Sequence, residues 1–471
     1  MAFIHGTETI EISDGIRTVT EVRTSVIGLV GIAPKGPKNK LTLVRSSDDA
    51  ALFGGRLPGF NIPHALNHII LQGAGTILVV NVFDEALHTE AVEDESHTVI
   101  GGELRLSAAP IGNVVITKDD GSAATYVAGT DYLLSEFGLF TVIKGRIPEN
   151  TVLKFSFDKL KVSGVTDAHI IGAVDGSGNR TGAKCFDLAF TLYGYEPKIL
   201  ISPAYTSSPT VAAALLAQSD KLGANVVLDC APDDTVPDAL ASRGVAATGS
   251  FNTSSQRAIL AFPYVLSYDE ATNSDQPFPY SAFYAGVMAA TDNNPSKGYW
   301  FSPSNKSIVG VTGLATPVTA SLNDPGADTN LLNAIGITTV FNDFGTGFRV
   351  WGNRNASYPT NTAPLNFVQM RRTADVVHRS LERAAMQFSD DPINQALADE
   401  IRQSGNNFIN TLVGRGALQD GSRVEFNRAD NPPADLANGQ IKFRIVFMGA
   451  TPAERITFLS VIDISLYSAL K

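Results

Sequence analysis

His64 and His68 stand four residues apart, a spacing that puts two imidazoles on one face of a helix, where they could share a metal ion. A metal site needs a third ligand. None of the seven histidines sits in a Cys, His or carboxylate cluster, so the pair reads as ordinary helix residues. Gly345-Thr346-Gly347-Phe348-Arg349-Val350 resembles a dinucleotide-binding fingerprint but lacks its third glycine. Asp175-Gly176-Ser177-Gly178 does not open a helix after a strand, and both segments read as turns. The acid pairs Asp233-Asp234 and Asp390-Asp391 read as turn and helix-cap residues. Cys185 and Cys230 are too few for a disulfide framework or a metal cluster and read as small buried apolar side chains. The sequence contains no G-x-S-x-G elbow, no H-E-x-x-H pair and no Walker A loop. Neither catalytic residues nor a cofactor is expected.

One charge pattern survives this search. Met370, Ala374, Val377, Leu381, Ala384 and Phe388 recur at alternating spacings of four and three, which predicts an amphipathic helix from about Leu365 to Phe388. Arg372, Arg379 and Arg383 fall on its opposite face, with Arg371, Asp375 and Glu382 in the row beside them. Three arginines with no acid among them, in an acidic protein, point to an anionic partner, against the alternative of a merely solvated face.

The elements around this helix divide the chain by texture. Residues 1–24 alternate short β-type pieces, TETIEI and RTVTEV, about the turn Ser13-Asp14-Gly15, and have too little apolar surface to fold alone. Residues 25–87 read as a buried strand in SVIGLVGIAPKGP, a helix through IPHALNHIILQG and a continuous apolar strand, TILVVNVFD. Residues 88–172 switch to short strands separated by Gly and Pro turns, as in an all-β domain inserted into a larger one. Residues 173–298 return to alternating strand and helix, which predicts a mostly parallel sheet shared with TILVVNVFD. Residues 299–452 hold the arginine-bearing helix and a second one with the stripe Ile393, Leu397, Ile401, Phe408 and Leu412, capped by Asp391-Pro392. Two strands close the chain, GQIKFRIVFM and ERITFLSVIDISLYS, the latter forming most of a terminal segment over 453–471.

The composition restricts function further. At roughly 150 residues per domain, 471 residues predict about three domains. With 44% hydrophobic and only 18% charged residues, the surface is unusually neutral, as in a protein covered by neighbours. A net charge of −11 argues against nucleic-acid binding and against an acidic membrane surface. The N-terminal sequence lacks the basic segment and apolar run of a secretory signal, and no stretch reaches the roughly 20 apolar residues needed to span a bilayer.

Several segments, in order along most of the chain, resemble the contractile tail sheath proteins of phages and R-type bacteriocins. They are TSVIGLVGIAPKGP, KGYWFSPSNKSIVGVTGL, LNAIGITTVFNDFGTGFRVWGNRN, FVQMRRTADVVHRSLERA and NPPADLANGQIKFRIVFMGATPAERITF. The resemblance implies an α/β core built from both chain ends with a mostly parallel sheet, an inserted all-β domain, and extended N- and C-terminal β arms. It implies a structural subunit, not an enzyme, in rings stacked around an inner tube, whose contraction drives the tube through a target envelope. Implied partners are other copies of the chain, the inner tail tube protein, the baseplate and the tail terminator, and the implied location is a virion tail or bacteriocin particle, assembled in the host cytoplasm.

On this reading Arg372, Arg379 and Arg383 grip the tube, while Thr7, Thr9, Glu11, Thr18, Thr20, Ile456, Phe458 and Ile462 belong to arms that pair with neighbouring subunits. The alternatives are a nucleotide-using α/β enzyme, which lacks its phosphate loop, and a carbohydrate-binding adhesion module, which would expose Tyr126, Tyr132, Phe137 and Phe140.

Overall fold

The computed structural model describes residues 19–469 apart from 120, 121, 124, 245, 246, 343, 344 and 346. Thr7, Thr9, Glu11 and Thr18 lie outside the described residues.

The main sheet is built from strands β1 (Ile27–Gly31), β2 (Thr42–Val44), β3 (Ile77–Asn81), β4 (Ile199–Ile201), β5 (Asn225–Asp229), β6 (Ala258–Ala261), β7 (Ile337–Phe341) and β8 (Arg349–Trp351), in the order β8-β7-β6-β5-β4-β1-β3-β2. All its interior pairings are parallel, and the two edge strands, β2 and β8, run antiparallel. The alternation of side chains explains why these strands read as unbroken apolar runs. Ile27, Leu29, Ile77, Val79, Val227 and Ile259 point into one core, whereas Val30, Leu78, Val80, Val226, Leu228 and Leu260 point into the other. Helices α1 (Asn61–Leu71) and α3 (Tyr280–Asn293) cover the first face, and α2 (Pro209–Leu222) packs on the second.

Gly31 shows why the early strand carries its glycines. A Cβ there would sit 2.4 Å from Asn61 Oδ1, which accepts the Ile32 N–H at 2.7 Å while Asn61 Nδ2 donates to the Pro203 carbonyl at 2.7 Å. Any side chain at position 31 would displace the amide that joins β1 to the start of α1.

Between β3 and β4 lie two antiparallel three-stranded sheets, one of Thr89–Thr98, Gly112–Lys118 and Val152–Leu160, the other of Glu103–Arg105, Tyr132–Leu134 and Leu139–Val142. They enclose a core of their own that includes Val99, Leu104, Phe140, Leu153, Phe155 and Phe157. Tyr132 stacks on Phe140 at 4.6 Å and Tyr126 packs against the same cluster, but Phe137 packs against the core of the main sheet. Where this segment leaves and rejoins the main body, the Lys161 N–H donates to the His88 carbonyl at 2.8 Å and His88 Nε2 meets His169 Nδ1 at 3.2 Å.

The C-terminal part differs from expectation in its details. Helix α4 runs Val368–Ala385, because Pro364–Asn366 form a 3-10 turn ahead of it, and Met386–Phe388 continue as 3-10. Helix α5 runs Gln395–Gly414 and is capped by Asn394, whose side chain accepts the Leu397 N–H at 2.9 Å, in place of Asp391-Pro392. Of GQIKFRIVFM only Arg444–Val446 is a strand, paired with Arg423–Glu425. ERITFLSVIDISLYS forms no ladder among the described residues: 455–463 lie in no helix or strand, and Ile464–Ala469 is a 3-10 turn. A strand needs a second backbone to hydrogen-bond, and none of the described residues supplies one there.

Candidate functional site

The residues singled out for chemistry have structural roles. His64 and His68 are buried on α1, where His68 stacks on Phe283 at 4.1 Å and His64 lies 4.9 Å from Phe278. Burial lowers the pKa of His68 to about 3, and the neighbouring His64 and Arg56 push the same way, so His68 is neutral. Gly345 and Gly347 lie between β7 and β8, in a hairpin loop that opens no helix. Asp175 Oδ1 accepts the N–H groups of Ser177 at 2.9 Å and Asn179 at 2.8 Å, closing a turn. Asp234 accepts the Ala231 N–H at 2.8 Å. Asp390, in the connection between α4 and α5, has a left-handed backbone with φ 72°. Burial pushes the Cys185 thiol up to about 11 and Cys230 well above its ordinary value. Among the described residues, no group of three His, Cys, Asp or Glu is placed to hold a metal ion, and no helix is long and apolar enough to cross a membrane.

The arginines of α4 do not share an exposed face. Arg372 is buried: its guanidinium forms a bidentate pair with Asp292 at the end of α3 and donates to the Thr24 carbonyl at 3.1 Å. The expectation that Arg372 faces solvent fails because the first half of α4 is enclosed on both sides. Val368, Met370, Arg372, Thr373, Val376, Val377 and Ser380 are all buried between the main body and a third core that contains Tyr299, Trp300, Phe408, Ile409 and Leu412.

Arg379 and Arg383 are partly exposed and converge on Glu196, at 2.7 and 3.2 Å, with Lys198 Nζ 2.9 Å from the same carboxylate and Glu382 3.1 Å from Arg379. Burial alone would raise the Glu196 pKa, but hydrogen bonds and charge from Arg379 and Lys198 outweigh it and hold the carboxyl at about 2. Arg383 also lies over the Phe190 ring at 4.3 Å. Glu196 and Asp292 are far away in sequence, so the helix alone looked unpaired. On the adjoining row, Asp375 joins Arg371 and Arg257 at 2.8 and 2.7 Å, so these residues form a seam to the main body, while Glu382 at the end of the row is exposed.

The two expected arms also differ. Within 1–24, the described residues 19–24 lie along their own subunit: the Val22 N–H donates to Ser380 Oγ at 3.1 Å, Glu21 pairs with Arg415, and Arg23 lies over Tyr195 at 4.8 Å, while Thr20 is exposed.

At the other end Glu454 is tied to Arg354, and everything from Arg455 to Ser465 is exposed. Ile456 is 70% exposed, Phe458 89%, Leu459 91% and Ile462 92%. Beside the ladder of Arg423–Glu425 with Arg444–Val446 opens an apolar groove of about 260 Å³, lined by Val19, Leu381, Phe388, Ile401, Phe443 and Ile445 among others. The sequence analysis missed this groove, the Glu196 and Asp292 partners and the Arg354 tie. The density of apolar residues in 456–462, at Ile456, Phe458, Leu459, Val461 and Ile462, was the signal that the arm was present.

This fold has counterparts among solved structures. The chain matches the helical sheath of the anti-feeding prophage in its contracted state with a TM-score of 0.59 at 18% identity, covering 98% of this chain and 100% of that one. It matches the sheath complex of a PVC extracellular contractile injection system, also contracted, with a TM-score of 0.58 at 14% identity and 99% coverage of both chains.

Residues 178–356 match the family model "Phage tail sheath protein central domain". The chain is 43% identical over 97% of its length to the tail sheath protein of Burkholderia phage BcepMu, covering 96% of that protein, and 26% identical over 96% to that of Escherichia phage P2, covering 94%. It belongs to the phage tail sheath family and is a structural subunit of a contractile sheath.

Proposed function

We propose that this chain assembles by lending its C-terminal arm to a neighbouring copy, where 455–463 adds a strand to the ladder of Arg423–Glu425 and Arg444–Val446 and fills the groove beside it. The observation that carries this reading is the exposure of Ile456, Phe458, Leu459 and Ile462 in one segment that lies in no helix or strand. Apolar side chains on both faces of an unpaired strand are stable only when a second backbone and two apolar surfaces receive them. The receiving ladder has two short strands, too few for independent stability, and gains from a third.

The sheath is a stack of rings around an inner tube, ending at a baseplate and a terminator, in a virion tail whose parts assemble in the host cytoplasm. Its extended form is metastable, and contraction buries further surface between subunits without nucleotide hydrolysis, the arms acting as tethers while the bodies move rigidly. The proposed division is an N-terminal arm over 1–24, a core from 25–87, 173–298 and 299–452, an outer all-β domain over 88–172, and the C-terminal arm over 453–471.

The tube contact is assigned to the exposed half of α4, through Arg379 and Arg383 and without Arg372. Among the described residues, Arg379 and Arg383 pair with Glu196 and Glu382, and the buried Lys198 offsets part of the Glu196 charge, which leaves a net positive patch for an acidic tube surface. Removing residues 1–18 and, separately, 455–471 tests arm exchange: each truncated chain should fold and fail to form regular tubes under the electron microscope. Regular tubes from the 455–471 deletion would defeat the reading.

A further inference from the structure

We infer that Arg354 is a positioning residue that aims the C-terminal arm, fixing the point from which the chain bends toward a neighbour. The inference rests on the arm-exchange reading and concerns what sets the arm's direction. The guanidinium is held on several sides: it lies 3.7 Å from the Phe367 ring centre and 4.6 Å from that of Tyr358, donates to Asn366 Oδ1, and takes the Glu454 carboxylate with two nitrogens.

Its platform is rigid. Asn355 and Asn366 are fully buried, Asn355 Nδ2 donates to the Leu365 carbonyl at 2.7 Å, the Asn355 N–H donates to the Asn366 carbonyl at 2.8 Å, and the Val368 N–H donates to the Asn353 carbonyl at 2.9 Å. An arginine fixed in this way loses little further freedom on binding a carboxylate, so its direction passes to the partner.

Glu454 is the last tied residue before the exposed run. Upstream, Gln419 N–H donates to the Met448 carbonyl at 2.7 Å and Ala450 N–H to the Ala417 carbonyl at 3.4 Å, so the chain is anchored to the body up to Ala450 and then clamped at Glu454. Downstream, 455–463 is exposed throughout. Any swing of the arm therefore begins no earlier than Arg455. No other ion pair in the described residues involves a residue beyond Ala450.

The test measures direction and assembly separately. Spin labels on Ile456→Cys and Thr362→Cys report the spread of arm directions in the monomer, the native cysteines being buried. The expected result is one narrow distance peak in the otherwise unchanged chain and its loss in both Glu454→Lys and Arg354→Gln. Glu454→Lys leaves the rings and Asn366 in place, so it carries the test even if Arg354→Gln fails to fold.

Polymerisation should fall with the peak, the protein concentration needed for tubes rising about tenfold for each 1.4 kcal/mol of lost preorganisation. Equal peak widths in the Glu454→Lys chain and its parent, or normal tubes from a Glu454→Lys chain whose peak has broadened, would overturn the role of Arg354. Normal tubes from a chain ending at Glu454 would overturn arm exchange itself, whichever way the distances fall.

Discussion

Arg372 on α4 and Asp292 at the end of α3 form a bidentate ion pair with side-chain exposures of 4% and 1%, which bolts the C-terminal helix to the main body from inside. Removing one member leaves the other buried and uncompensated, so Arg372→Ala should destabilise the subunit by about 3–5 kcal/mol. Arg372→Met with Asp292→Leu should recover most of that loss, because the desolvation cost of both charges disappears together. Denaturant unfolding of the three variants checks this, and a loss below about 1 kcal/mol for Arg372→Ala would mean the pair is a surface contact.

His68 sets a stability window in mild acid. Its pKa is about 3 in the fold against 6.5 in a solvated chain. Below pH 6.5 the unfolded chain therefore binds a proton that the folded one refuses, and stability falls until about pH 3, by up to about 1.4 kcal/mol per pH unit. His68→Phe should flatten this part of the curve. Unfolding free energies of the two proteins between pH 8 and pH 4 give the comparison, and parallel curves would contradict it.

The parallel sheet was legible because Val, Ile and Leu runs such as TILVVNVFD carry the same message on both faces, and α4 was legible from its stripe. What the sequence hid is pairing at a distance. Nothing near Arg372 in sequence points to Asp292, eighty residues earlier, or near Arg379 to Glu196, so a helix enclosed on two sides looked half solvated. The small ladder was misread for the opposite reason, since only Arg444–Val446 of GQIKFRIVFM found a partner strand, and strand propensity is local while a ladder partner is not.

Residues 89–160 should be dispensable for assembly. Their ends meet where the Lys161 N–H reaches the His88 carbonyl, a gap that a short Gly/Ser linker can close. The shortened chain should fold and polymerise as the parent does under the electron microscope. Loss of folding would show that contacts such as Arg105 with the Ala271 carbonyl and Phe137 with the main core are integral to the body.

Arg379→Gln with Arg383→Gln tests the tube contact. Exposed pairs are individually worth no more than about 1 kcal/mol and are screened by salt, so the double variant should still fold yet co-sediment less with purified tube, most clearly at moderate salt. Unchanged co-sedimentation across a salt series would remove these residues from the tube interface.

The most direct test is a cryo-electron microscopy reconstruction of tubes formed by the full chain, asking where 455–463 lies. Arm exchange predicts continuous density from Glu454 into a neighbouring subunit, running as a strand beside Arg423–Glu425 or Arg444–Val446 with apolar side chains of 456–462 in the groove next to Leu381 and Phe388. Density that folds back onto its own subunit, or a neighbour's ladder left with two strands, would contradict it.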